Sequence, residues 1–119
     1  VNRRNADELF LVRIVAKPSP QNSEANEAGG AYVNCRVNAD NLRTAERIAV
    51  DRIREEQWEP VKFDHWEIVC ERCYTEDAKY NETDRKEYLE RVREAFEYGI
   101  ALVFNCWPKD APDANDEYL

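Results

Sequence analysis

Hydrophobic positions over residues 9–16 run almost without a break, Leu-Phe-Leu-Val-Arg-Ile-Val-Ala, and the run closes at Lys17-Pro18-Ser19-Pro20. Proline has no amide to give a sheet ladder, so this reads as a strand ended by its own sequence. Apolar residues on both of its sides, Arg13 excepted, predict a place inside the sheet. Over 31–39 the pattern switches to alternation, with Val33, Cys35 and Val37 on one side and Tyr32, Asn34, Arg36 and Asn38 on the other. That is a half-buried strand, and its polar side suits a sheet edge. Between the two, residues 21–30 are polar and short-chained and end in Gly29-Gly30, the composition of a mobile loop.

Elsewhere the spacing is helical. Leu42, Ala45, Ala49 and Ile53 recur every three or four residues behind Asp40 and Asn41, either of which can accept from the first free amides of a helix. The first helix is expected over 41–57; Pro60 disfavours helical geometry at Glu59, and Trp58 folds onto the core. Residues 61–74 read as a long strand whose alternation slips, Val61 and Phe63 having one parity and Trp66, Ile68 and Cys70 the other. One extra residue near Asp64-His65, a β-bulge, returns both sets to a single face. After a polar connection over 75–83, Asp84 and Glu87 resemble a capping box, and Tyr88, Leu89, Val92, Ala95 and Phe96 mark the buried stripe of a second helix. Gly99 is placed for a left-handed helix end. The apolar run over 100–104 predicts a last strand covered on both faces, closed by Trp107-Pro108.

These elements define an α+β domain in the order β-β-α-β-α-β, a four-stranded mixed sheet with two amphipathic helices packed on it, as in ferredoxin-like two-layer folds. With 119 residues, 43% of them apolar, the chain supports one domain over 1–108. Residues 109–119, with Asp110, Asp113, Asp116 and Glu117, are expected as a flexible acidic tail. Two helices cover one sheet face, and the first and last strands are apolar on both sides. The second face therefore calls for cover, and the expected answer is a second subunit in a homodimer, the alternative being helices placed on opposite faces of a three-layer monomer.

Charge narrows the partners. Seventeen basic against 25 acidic residues give a formal charge of −8, which repels polyanions, so no nucleic-acid partner is expected. No apolar run approaches the roughly 20 residues that span a bilayer, so no membrane association is expected either, and the default location is cytoplasmic. The sequence starts at Val1 and contains no methionine, so the start codon, and with it any leader segment, lies outside it.

Four features carry candidate chemistry. Cys70-Glu71-Arg72-Cys73 has the spacing that lets two thiolates grip one zinc or close a reactive disulfide, which makes Cys70 and Cys73 the candidate metal ligands. Cys35 and Cys106 stand alone on separate strands as small core residues, so only His65 is available as a further ligand. A thioredoxin-like role asks for a helix N-terminus, and the Glu76-Asp77 pair that follows raises rather than lowers a thiol pKa. The plainer reading is two reduced cysteines at a strand end. His65, flanked by Asp64 and Glu67, is the one side chain whose ordinary pKa lies near neutrality, yet the only serines, Ser19 and Ser23, sit at or in the loop. Arg43, Arg47 and Arg54 lie within about 40° of one another on a helical wheel, a cationic stripe that either receives an anion or forms a solvated face balanced by Glu46, Asp51 and Glu55. Arg43, Arg47, Arg54 and His65 are accordingly the candidate ligand-binding residues. The acidic tail lacks the glycine and terminal glutamate of a calcium loop, and Gly29-Gly30 precedes a strand rather than a helix, so no cofactor is expected.

The segments Thr44-Ala45-Glu46-Arg47-Ile48-Ala49, Trp58-Glu59-Pro60-Val61, Tyr88-Leu89, Ala95-Phe96-Glu97-Tyr98-Gly99 and Val103-Phe104-Asn105-Cys106-Trp107-Pro108 together resemble a small bacterial domain family without assigned function, over about residues 31–108. Asn105-Cys106 stands where similar sequences carry a polar pair such as His-Thr. The resemblance implies an uncharacterised domain and no catalytic residue. The leading expectation is a small non-enzymatic interaction or regulatory domain with a protein partner. The alternatives are a small-molecule binder or enzyme with a cleft near His65 and Cys70/Cys73, and an acidic immunity-type protein that blocks a basic toxin by charge complementarity.

Overall fold

Four strands and three helices follow one another in the computed structural model, which describes residues 6–23, 25 and 27–109. They are β1 (Glu8–Pro18), β2 (Ala28–Val37), α1 (Leu42–Glu55), β3 (Trp58–Cys70), α2 (Glu71–Glu76), α3 (Glu82–Tyr98) and β4 (Ile100–Pro108). The strands form one sheet in the order β3-β1-β2-β4, and every neighbouring pair is antiparallel. The class is α+β, but the expected mixed sheet is not formed. β2 and β3, joined through α1, do run the same way; β1 lies between them, so no parallel ladder arises.

The alternation of β1 sets the layers. Phe10, Val12, Ile14 and Ala16 point to one face and meet Val33, Cys35 and Val37 of β2 and Ala45, Ala49 and Ile53 of α1. Leu9 points to the other and packs with Val69, Tyr74 and Ala101 and with Val92 and Ala95 of α3. The helices thus cover opposite faces, and a three-layer arrangement replaces the ferredoxin-like two-layer one. The apolar residues on both sides of β1 are covered within one chain, which removes the open face that motivated a second subunit.

Two strand positions differ from expectation. β2 is interior and β4 is an edge, because alternation reports which face is apolar, not how many ladder neighbours a strand has. On β4, Ala101 is buried under α3 while Phe104 packs against Trp58 on the α1 face, ring centroids 5.3 Å apart, so an edge strand reads as apolar on both sides. Opposite β1, His65 pairs with Arg13 and Phe63 with Ile14, which leaves Asp64 as the expected bulge; a second irregularity skips Val61. Asp64 accepts from Arg13 Nε at 2.6 Å. β3 stops at Cys70 rather than Tyr74, because Cys70 pairs with Glu8 at the start of β1 and no partner strand continues beyond it; residues 71–76 coil into α2 instead.

Helix ends follow local chemistry. Asn41 Oδ1 accepts from the Thr44 amide at 2.8 Å at the start of α1. α3 starts earlier than Asp84: Asn81 is its cap, accepting from the Asp84 amide at 2.7 Å while its own Nδ2 donates to Asp84 Oδ2 at 3.1 Å. Gly99, with φ of 91°, ends α3 and donates its amide to Ala95 O at 2.8 Å. Phe96 and Cys106 are exposed, not core residues, although Phe96 shares the helix face of Val92; Cys106 sits on the edge strand. Of the expected 21–30 loop, residues 28–30 belong to β2, and Asn22 is buried, donating to Gln57 O at 3.0 Å and accepting from the Ala25 amide at 3.1 Å. Gly30 lies beneath the Trp107 ring, which a Cβ there would strike. The acidic tail over 110–119 lies outside the described residues.

Candidate ligand-binding cleft

Arg36 belongs to the polar side of β2, and that side faces α3. Flanked by Leu11 of β1 and Ala101 of β4, it is 4% exposed. Its guanidinium carbon lies 5.4 Å from the ring centre of Tyr74 and 5.1 Å from that of Tyr88, and Nη2 donates to the Tyr74 hydroxyl at 3.1 Å. Tyr74, Tyr80 and Tyr88 touch pairwise, with centroids 5.2, 5.1 and 5.5 Å apart. These rings come from α2, the α2–α3 connection and α3. Arg85 of α3 joins the three segments by donating to Tyr74 O at 2.8 Å and Tyr80 O at 2.9 Å.

Two hollows of about 230 Å³ each open beside the guanidinium. One extends toward Arg13 and Glu67 and the other toward Asp84 and Glu87, and both are lined by Asn34, Arg36 and Tyr88. Nε of Arg36 is buried without a hydrogen-bond partner among the described residues, and none of the described ion pairs includes Arg36. Burying a cation without an anion costs several kcal/mol. Stacking on two tyrosine faces offsets part of that, at about 2 kcal/mol for a desolvated contact. Burial pushes the Tyr74 hydroxyl pKa up, against the opposing pull of the Arg36 charge, so Tyr74 remains neutral and supplies no counter-charge.

The other candidate residues lie apart from this cleft or stand at its margin. Arg43, Arg47 and Arg54 are exposed on α1, and Arg54 Nη2 is 3.4 Å from Glu59 Oε1. Because α1 lies on the opposite sheet face, the stripe and the cleft are separated by the sheet. His65 faces the cleft side by its register with Arg13; it is exposed, with Nε2 3.5 Å from Glu67 Oε2. No serine, threonine or cysteine lines either hollow.

Cys70 is the last residue of β3, the expected strand end, and also precedes the six-residue α2, whose first turn contains Cys73; the Cys70 thiol makes no cap hydrogen bond. Cys70 is buried, Cys73 is exposed, and their sulfurs are 3.0 Å apart beside an open hollow of about 460 Å³ bordered by Glu8, Arg72, Glu76 and Asp77. Burial first, and then the contact with the Cys70 thiol, push the Cys73 pKa up, which holds the proton on sulfur and disfavours a thiolate. Among the described residues no group of three His, Cys, Asp or Glu side chains is placed to hold a metal ion. Cys35 is wholly buried, and burial pushes its thiol up to about 12.

Sequence reasoning placed Arg36 on a polar strand side without giving it a role. The available signal was an arginine on the polar side of a strand whose other face is apolar; its meaning depended on β2 being interior. Among the described residues no helix is long and apolar enough to cross a membrane. No protein-family model, curated protein or solved structure matches the chain.

Proposed function

We propose that the chain is a non-enzymatic binding domain whose cleft takes a small carboxylate bearing an amino group, an amino-acid-like zwitterion. The observation that carries this reading is the buried guanidinium of Arg36, which lines both hollows and belongs to none of the described ion pairs. A carboxylate answers that demand best, since its two oxygens match the guanidinium fork. Glu67, Asp84 and Glu87 around the hollows, on a chain of formal charge −8, disfavour a multiply charged phosphate and suit an ammonium group. The tyrosine faces offer contact to the apolar part of the ligand. Each hollow has room for a few atoms beyond the charged ends, given that one water occupies about 30 Å³ of liquid.

Calorimetric titration with L-leucine, glycine, acetate and inorganic phosphate tests the reading. L-leucine is expected to bind more tightly than acetate, and phosphate more weakly than either amino acid. Arg36→Met, which keeps the bulk of the side chain, is expected to lower leucine affinity at least about tenfold, the equivalent of one lost charge-assisted contact. Equal affinity in that variant, or phosphate binding as tight as leucine, overturns the proposal.

A further inference from the structure

We infer that β3 is a seam at which two copies of this chain join, each laying its outer strand antiparallel against the other about a two-fold axis at His65. Within the described sheet β1 is the only strand beside β3, so the far side of this 13-residue strand adjoins no described strand. On the α1 face this edge displays Phe63, Trp66 and Ile68, which are 51, 47 and 38% exposed. The Asp64 bulge is what aligns them: by their register with β1, Phe63 and Trp66 share one face although an even number of positions lies between them. On the opposite face the same register places Lys62, His65 and Glu67.

The order of these residues identifies a second copy as the occupant. With the axis at His65, reversing the strand on itself sets Phe63 against Trp66 of the second copy, and Trp66 against its Phe63. On the other face Lys62 comes opposite Glu67 of the second copy, again twice. Apolar thus meets apolar and opposite charges meet, as cross-strand pairs require. A shift of one ladder step either way moves Lys62 off Glu67, and a parallel alignment sets Lys62 on Lys62. Pro60, which has no amide, ends the ladder on its side. A two-fold pairing also closes after one seam, whereas joining β3 to β4 propagates without limit. The seam shares Glu67 with the rim of the cleft, but its register and its test by association do not depend on what the cleft binds.

Sedimentation velocity over about 1–300 μM tests this, alongside circular dichroism to confirm folding; a seam this small is expected to dissociate in the micromolar range. The wild-type chain is expected to move from one 14.0 kDa unit toward a dimer across that range. Lys62→Glu sets like charges opposite each other twice and is expected to weaken association about tenfold or more, and the swap Lys62→Glu with Glu67→Lys to restore it. Trp66→Lys is expected to abolish association by a separate route. A chain that stays monomeric at the highest concentration, or a dimer indifferent to Lys62→Glu and to Trp66→Lys, overturns the inference. A dimer broken by Lys62→Glu and not restored by the swap overturns the His65 register. None of these outcomes depends on ligand titration, so the cleft and the seam fail separately.

Discussion

The two faces of the sheet are built from the same strands and do opposite work. On the α1 face β2 presents Ala31, Val33, Cys35 and Val37, all fully buried, and α1 answers with Ala45, Ala49 and Ile53. Two alanines bring the helix backbone close to the sheet, and the Cys35 thiol, which donates to the Val33 carbonyl, is the polar group of this cluster. On the α3 face the intervening residues of β2 are Tyr32, Asn34 and Arg36, and the cover is a short helix, a turn and α3, with two tyrosines stacked on a guanidinium and a third against both. Because consecutive side chains of a strand point to opposite faces, one ten-residue strand supplies a sealed core and a polar cleft at once. The stability of the domain is accordingly expected to reside on the α1 face, and its capacity to bind on the other.

Ile53→Ala tests that division most severely. Ile53 is wholly buried, and removing its branched chain from a close-packed contact costs about 2–5 kcal/mol. Val92→Ala, the matching truncation on the α3 side, removes two methyl groups next to a face that already contains hollows, at about 1–2 kcal/mol on transfer grounds. Urea unfolding monitored by tryptophan fluorescence compares the two. A larger loss in Val92→Ala than in Ile53→Ala breaks the comparison.

What was legible beforehand follows the same line. Both long helices, the Asp64 bulge and the Gly99 helix end are local patterns, set by period, parity slip and backbone freedom within a few residues. The placement of helices on opposite faces was not legible, because a hydrophobic stripe states that a helix is covered and not on which side of the sheet. α2 escaped notice because residues 71–76 are released from strand geometry only by the end of β1, far away in sequence. The cleft was invisible for a similar reason: the Tyr74 hydroxyl that accepts a hydrogen bond from Arg36 is 38 residues away along the chain. His65 and the Cys70-Cys73 pair stood out by residue type alone, and the fold gives them edge positions on β3 and at the start of α2.

The ends of the two long helices sharpen the contrast at smaller scale. α3 ends at Gly99 with φ of 91°, and a Cβ there meets nothing within 4 Å, so Gly99→Ala carries only the left-handed backbone cost of about 1–2 kcal/mol. α1 is followed by Gln57 with φ of 66°, the one non-glycine residue with positive φ among those described. Its carbonyl accepts from the Ser19 amide at 3.0 Å, Ser19 Oγ at 2.9 Å and Asn22 Nδ2 at 3.0 Å, which together hold it in place. Gln57→Gly retains that carbonyl and relieves the side-chain strain, so a gain below about 1 kcal/mol is expected, reduced by the greater freedom of glycine in the unfolded chain. Thermal unfolding of both variants checks the opposite signs.

The smallest effect is a pH dependence centred on the α1 face. Cys35 has a thiol pKa pushed up to about 12 by burial, against 9.0 for an unburied thiol. The folded state therefore keeps its proton where the unfolded state gives it up. The stability tied to this proton is fully present below pH 9 and is lost as pH rises from 9 toward 12. Between pH 8 and 9.5 the loss comes to about 0.8 kcal/mol, and because ordinary tyrosines begin to ionise in the same window, the comparison with Cys35→Ala is what isolates the thiol. Cys73, whose thiol is also raised, is exposed, so solvent screening leaves it a weak lever. Urea midpoints at the two pH values are expected to fall in the wild-type chain and in Cys73→Ala, and to fall distinctly less in Cys35→Ala. A slope that disappears in Cys73→Ala and persists in Cys35→Ala places the buried proton on the wrong face and breaks the comparison from which these expectations start.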